Sequence, residues 1–517
     1  MTNQNLYCAL RAAFPADLDR TAIECVATEG SAGVGLFYTW RDLDRGSAMI
    51  ANLLGSLALP ADARVLVRTD KSVEALILYL AVLRAGLVYV PLNSAYQASE
   101  LSYFINNAEP AVVVCASRDF GWLSKIAFRA GTAHVYTLDD DRRGSLLQRA
   151  AHHADMQAPV QRAAADVASI IYTSGTTGRS KGAMLSHGNL LSNAQVLKTL
   201  WGWRSEAEGG DVLIHALPLF HVHGLFVACH GALLNGSKML WFARFDARAV
   251  TARLPDATVF MGVPTLYGRL LAEPAFNAQA CRTMRLFISG SAPLLAETFR
   301  QFSERSGHTI LERYGMSETV MLTSNPYAPA EGRMAGTVGF ALPGVDLRIA
   351  CAEGESIGAV EVRGPGVFQG YWRMPEKTAE EFTADGWFRT GDVGQLDAQG
   401  RLTLIGRSKD LIISGGYNVY PAEVEGYLNE LPGVEESAAI GVPHADLGEA
   451  VIAVVVPRAG ASVDAAACIA AMKQRIAGFK VPKHVIVIDQ LPRNAMGKVQ
   501  KALLREQHRA LFGTKQN

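Results

Sequence analysis

The sequence predicts an α/β protein with a large N-terminal body of mixed and parallel sheets, a β subdomain within that body, and a small α+β C-terminal domain. Three observations carry the prediction. The chain has 517 residues, whereas a single hydrophobic core stops growing at roughly 250–300 residues, so several domains are expected. Short β-branched runs alternate with amphipathic helical stretches from Val65 to Leu404, the rhythm of strands joined by crossover helices. After Arg407 the pattern restarts as a shorter series of about a hundred residues, an ordinary domain size. The predicted domains are therefore 1–407 and 408–517.

Each element follows in order. The runs VLVRT, LVYVPL and AVVVC read as strands, with the helical stretch SVEALILYLAVLRAG between the first two. The apolar stretch 75–92 has the length of a membrane span. Arg84, Gly86 and Pro91 interrupt it, so helix, turn and strand are expected instead. Further runs, ASIIYTS, DVLIHALP, KMLWFA, TVFMGVP, RLFISG and TILERYG, each end in polar or glycine-rich segments. The C-terminal ends of such strands are where α/β sheets place ligands. Between Gly339 and Leu404 the alternating runs LRIA, GAVEVRG and RLTLIG, with many glycines, predict the compact β subdomain. The tail then reads as strand LIIS, a helix opened by Pro421 in its first turn, strands SAAIGVP and AVIAVVVP, a helix, strand HVIVID and a last helix.

Composition narrows the function classes. Lysine and arginine number 49 and aspartate and glutamate 49, so no global field recruits nucleic acid or an anionic membrane. The seven cysteines are scattered without a C-x-x-C pair, as in a reducing cytoplasm. The first residues, MTNQNLYCALRAAFPADLD, lack a basic start and a long apolar run, so no signal peptide is read there. A cytoplasmic location is expected.

Five strings carry chemistry. Residues 172–182, YTSGTTGRSKG, form a glycine and hydroxyl run after a strand, able to wrap a polyphosphate with backbone N–H groups while Lys181 adds a point charge. It is not the GxxxxGK[ST] loop, because Ser180 stands where the second glycine belongs. Alone, it could be a plain flexible loop. YGMSET at 314–319 would by itself be a strand running into a capped turn, TGD at 390–392 a turn, GRSKD at 406–410 a solvated linker. PRNAMGK at 492–498 ends in a lysine that, taken alone, would be solvated.

Taken in order, these strings resemble the motifs of the adenylate-forming superfamily of acyl-CoA synthetases, peptide-synthetase adenylation domains and luciferases, from about Tyr38 to Leu504. The resemblance implies ATP, Mg²⁺ and coenzyme A as cofactors. It places Thr173, Ser174, Gly175, Thr176, Thr177, Gly178 and Lys181 around the phosphates, Tyr314 on the adenine, and Thr319 at the α-phosphate. It puts Glu318 on Mg²⁺, a cation that favours carboxylate oxygens, and Asp392, an acceptor-only side chain, on the ribose hydroxyls. Arg407 lies near the nucleotide, and Lys498 reaches the substrate carboxylate and α-phosphate as the catalytic cation. Lys409 becomes the hinge of a mobile C-terminal domain, with Ser414, Gly415, Gly416 and Tyr417 lining a pantetheine tunnel. The 492–498 stretch also resembles sites of reversible lysine acetylation, which implies a lysine acetyltransferase as a partner acting on Lys498.

By the same resemblance the acyl pocket is built from 221–225, 261–266 and 285–294. These segments hold few large aromatics and several polar groups, which fits a small polar acid. His221, Arg285, Ser289 and Gly290 are the expected substrate residues. A dicarboxylic acid carries a second charge that must be paired when buried, and a guanidinium does this bidentately. Arg285 is expected in that role, a structural ion pair being the alternative. HVHG, MGVPTLY, RLFISGSAPLLAET, ERYGMSET, TSNPY and GYWRMPEKT resemble malonyl-CoA synthetases. Val320 and Leu322 stand where that family tends to place polar residues, leaving methylmalonate or another small acid open. A broader medium-chain or aryl acid CoA ligase and a carrier-loading adenylation domain remain as alternatives.

Overall fold

In the computed structural model, which describes residues 2–27, 35–173, 180–494 and 497–512, the chain divides into two compact units, 1–346 with 363–386 and 347–362 with 387–517. The first unit holds two mostly parallel sheets. One runs, in spatial order, through His134–Thr137, Val112–Cys115, Arg64–Arg68, Val88–Pro91, Val167–Thr173 and Lys181–Ser186. Only the last pairing in it is antiparallel. The other has a parallel centre of Leu311–Tyr314, Leu286–Ser289, Val259–Gly262, Val212–His215, Lys238–Trp241 and Thr21–Cys25, flanked by short antiparallel strands.

The 75–92 stretch resolves as expected. Ser72 caps the helix Val73–Arg84 by accepting from Ala75 N, and every residue of that helix is buried, which explains why it is apolar all round. A turn follows, then the strand Val88–Pro91. Among the described residues no helix is long and apolar enough to cross a membrane.

The second unit begins with a four-stranded sheet of Asp346–Ala350, Gly358–Arg363, Phe388–Leu396 and Leu402–Arg407. Its second sheet centres on the long strands Val434–His444 and Gly448–Pro457. Val451, Ala453 and Val455 face the helices Pro421–Asn429 and Ala465–Lys473 through Val424, Leu428 and Met472. Ile452 and Val454, on the other face, pack with Leu504 of Lys501–His508. Both faces are covered, so the strand is apolar along its length rather than alternating.

The predicted boundary at 407/408 falls inside this second unit. Arg407 ends a strand paired along its length with Phe388–Leu396, so the β subdomain expected in the N-terminal body groups with the tail. The seven cysteines are free thiols.

Candidate active site

In the first unit the phosphate-loop motif opens from the end of Val167–Thr173 and re-enters as Lys181–Ser186, with Thr173 and Lys181 paired across its mouth. Ser174, Gly175, Thr176, Thr177 and Gly178 lie outside the described residues. Lys181 Nζ donates to Glu381 Oε1 at 2.8 Å and sits 4.1 Å from the ring centroid of Tyr371. Tyr371 Oη in turn donates to Glu318 Oε1 at 2.9 Å. The structure thus brings Lys181 and Glu318 together through a tyrosine that sequence reasoning did not single out.

Tyr314 is the last residue of its strand. The chain then doubles back, Leu322 N donating to Tyr314 O at 2.9 Å. The turn needs a glycine at 315, where a Cβ would stand 1.9 Å from Val320 O. Val320 is buried with φ of 58°, a left-handed backbone that β-branched residues rarely adopt. Thr319 is fully buried, and its Oγ1 finds no hydrogen-bond partner among the described residues.

Around Arg313, which precedes Tyr314, polar side chains gather. His223 opens a π-helical turn, His223–Cys229, a local form frequent at functional sites. Its Nδ1 is 3.3 Å from Ser291 Oγ, and its backbone N donates to His221 Nδ1 at 3.2 Å. Burial, with the Arg313 guanidinium nearby, holds the His223 ring well below the usual imidazole value, so it is neutral. Ser289 Oγ is buried and unpartnered among the described residues. At Gly290 a Cβ would stand 2.5 Å from Arg313 Nη1, so the guanidinium lies against the bare glycine backbone.

Arg313 is 2% exposed, and neither its Nε nor its Nη2 has a hydrogen-bond partner among the described residues. Burial lowers its pKa, yet a guanidinium stays cationic at neutral pH. Orphaned donors on a buried cation call for an anion, because an unpaired buried charge is costly. Its neighbour Glu312, pointing to the other face of the strand, accepts from Leu294 N at 3.1 Å. Burial pushes the Glu312 carboxyl up to about 8. The signal available in the sequence was a charged pair at the C-terminal end of a parallel strand.

Arg285, expected at the substrate, is engaged in an ion pair in this structure. It precedes Leu286–Ser289, at the opposite end of that strand from Ser289 and Gly290. It is held there in a bidentate pair with Asp211, Nε to Oδ1 at 2.8 Å and Nη2 to Oδ2 at 2.6 Å. Nη1 donates to Trp201 O. Asp211 is fully buried, so this is the structural ion pair.

In the second unit Asp392 and Arg407 are Cα partners on adjacent strands, and Arg407 Nε lies 2.7 Å from Asp392 Oδ1. Asp392 N donates to Thr390 Oγ1 at 3.1 Å, and Ser408 Oγ donates to Gly391 O at 3.1 Å. The TGD and GRSKD motifs therefore form one cluster, with Lys409 on the single turn Ser408–Asp410.

Gly415 and Gly416, at φ of 60° and 82°, make the two-residue turn between Ile412–Ser414 and Tyr417–Val419, the twist hairpins prefer. Tyr417 is exposed and stacks on Phe479 with centroids 4.6 Å apart. Lys498 is exposed. Its segment is closed by Asn494 N donating to Lys498 O at 2.9 Å and by Lys498 N donating to Asn494 Oδ1 at 3.0 Å.

The geometry agrees with three comparisons. Residues 12–372 match the model of the AMP-binding enzyme family, and 423–498 that of the AMP-binding enzyme C-terminal domain. The chain is 33% identical to a malonate–CoA ligase of Arabidopsis thaliana over 86% of this chain and 78% of the relative. It is 34% identical to a feruloyl-CoA synthase of an Amycolatopsis species over 91% of this chain and 94% of that protein. The crystal structure of ATP-bound MatB from Rhodopseudomonas palustris superposes with a TM-score of 0.94 at 49% identity, covering 99% of this chain and all of the other. The family model covers more than half of the chain, and relatives at least 33% identical span most of it: this protein is a member of the AMP-binding enzyme family.

Proposed function

We propose that the protein is an ATP-dependent, AMP-forming ligase that joins malonate to coenzyme A through a malonyl-adenylate. The observation that carries this reading is the buried, donor-rich Arg313 beside Ser291 and neutral His223, a site suited to one carboxylate of a small diacid. The malonate–CoA ligases among the relatives support the same substrate.

A carboxylate resists nucleophiles because of its charge, and conversion to a mixed anhydride with AMP removes that resistance. With one carboxylate held by Arg313, the other attacks the α-phosphorus and expels pyrophosphate. Thr319 Oγ1 is a hydroxyl donor for the α-phosphate, and the Lys498 ammonium meets the charge that develops there, usually the largest catalytic contribution. Glu318 would hold Mg²⁺, since its carboxylate is fixed by a neutral donor and no cluster of three protein ligands exists among the described residues. A cation that takes most of its ligands from water and phosphate fits such a site and supplies positive charge to the phosphates.

The thiol of coenzyme A then attacks the anhydride carbonyl and releases AMP. Lys409 is the proposed pivot between the half-reactions, and the glycine turn 414–417 the proposed thiol path. Val320 and Leu322, both buried, favour tolerance of a methyl group on the acid. Lys498, being exposed, is open to an acetyltransferase, whose product would lose the charge.

Pyrophosphate release with malonate, methylmalonate, acetate and ferulate, with and without coenzyme A, tests the reading. Malonate should give the highest kcat/KM and a coenzyme A-dependent thioester. Faster turnover of ferulate or acetate would replace the substrate assignment.

A further inference from the structure

We infer that Tyr371 is a positioning residue for adenylation, holding the Glu318 carboxylate with its hydroxyl and the Lys181 ammonium with its ring face. The inference rests on the reading of Glu318 as the metal-holding carboxylate. Tyr371 is 4% exposed, so both contacts are made by a side chain that packing keeps in place.

Its backbone is tied as firmly. Trp372 N donates to Gly182 O at 2.7 Å, Met184 N to Gly370 O at 3.0 Å and Gln369 N to Met184 O at 3.1 Å. Residues 369–372 are thereby zipped onto the strand that leaves the glycine loop. One residue further back, Phe368 N donates to Glu318 O at 2.7 Å. Tyr371 N is anchored on Thr378 Oγ1 at 2.9 Å. A single extended segment thus spans from the base of the phosphate loop to the YGMSET turn, with Tyr371 at its centre.

The chemistry of the residue suits the task. A phenol donates one hydrogen bond to a carboxylate and fixes its rotamer without neutralising it, so the negative charge stays available to a cation. A lysine at this position would compete with that cation. The ring's negative face attracts the Lys181 ammonium. That contact uses none of its three N–H donors, and the Glu381 pair uses one.

The test is calorimetric titration of the full chain with ATP in Mg²⁺ and with ATP in EDTA, for wild type, Tyr371→Phe and Thr378→Val. Tyr371→Phe keeps the ring and loses only the hydroxyl. The tightening of ATP binding by Mg²⁺ should shrink about 10-fold in this variant, the scale of one hydrogen bond to a charged group. Metal-free ATP affinity should stay within about 2-fold, because the cation–π contact is retained. Thr378→Val, which loosens the segment but keeps the phenol, should retain the wild-type Mg²⁺ gain. Equal loss in both titrations, no loss in either, or the same loss in Thr378→Val overturns the inference. A wild type that gains nothing from Mg²⁺ removes the reading of Glu318 along with it, whereas a wild-type gain left intact in Tyr371→Phe refutes the positioning role alone.

Discussion

A half-buried and a buried arginine lie at opposite ends of neighbouring strands, and the contrast between them underlies the acid site proposed above. Arg285, at the entrance to Leu286–Ser289, is saturated by Asp211 and a backbone carbonyl. Arg313, near the exit of Leu311–Tyr314, is at least as buried but keeps unfilled donors. Charge and burial do not distinguish a ligand-reading residue from a structural one. Position along a parallel strand and unspent hydrogen bonds do.

The strongest way to break this contrast is Arg313→Met. Removing one partner of a buried pair costs about 3–5 kcal/mol, so kcat/KM for malonate should fall by roughly 10²–10³-fold. Acetate, with no second carboxylate, should lose far less. An unchanged malonate-to-acetate ratio in pyrophosphate release would dissolve the assignment.

Arg285→Met should behave in the reverse manner. It strands the Asp211 carboxylate and should lower unfolding free energy in urea by about 3 kcal/mol. The malonate KM of the protein that folds should be unchanged. A raised KM with intact stability would exchange the two roles.

Lys498→Ala adds a third, exposed cation to the comparison. Loss of one electrostatic donor to the transition state should slow adenylation by at least about 10²-fold, leaving both the melting temperature and acid selectivity as they were. A change of selectivity would mean that the tail also reads the acid.

The last effect concerns pH. Because burial raises the Glu312 carboxyl to about 8, the folded chain keeps a proton that the unfolded chain releases near pH 4.3. The associated stability is fully present below that lower value and is lost as pH rises through about 8. Relative to Glu312→Gln, the wild type should therefore lose stability between pH 5 and 8, by no more than about 1.4 kcal/mol per unit. Parallel melts of both proteins that track each other across this range would show that the carboxyl is not protonated in the fold.

The strands were legible beforehand in the β-branched runs. The motif order singled out Glu318, Asp392, Arg407 and Lys498, whose roles belong to the proposed function. What escaped has physical causes. Arg285 and Arg313 sit beside equally apolar runs, and only the register of the sheet shows which carries surplus donors. The grouping of the β subdomain with the tail depends on strand pairing between residues far apart in sequence, such as Val362 with Phe388. The π-helical turn at His223–Cys229 leaves no periodic trace in seven buried residues.

Gly290 has a consequence out of proportion to its size. A methyl group there would occupy the space now filled by Nη1 of Arg313 and displace the guanidinium from its seat. On the proposed reading, the distance between Arg313 and the reacting end of the acid is thus gauged against a missing carbon. Relatives that differ at this one position are expected to prefer acids of a different length while keeping the same arginine.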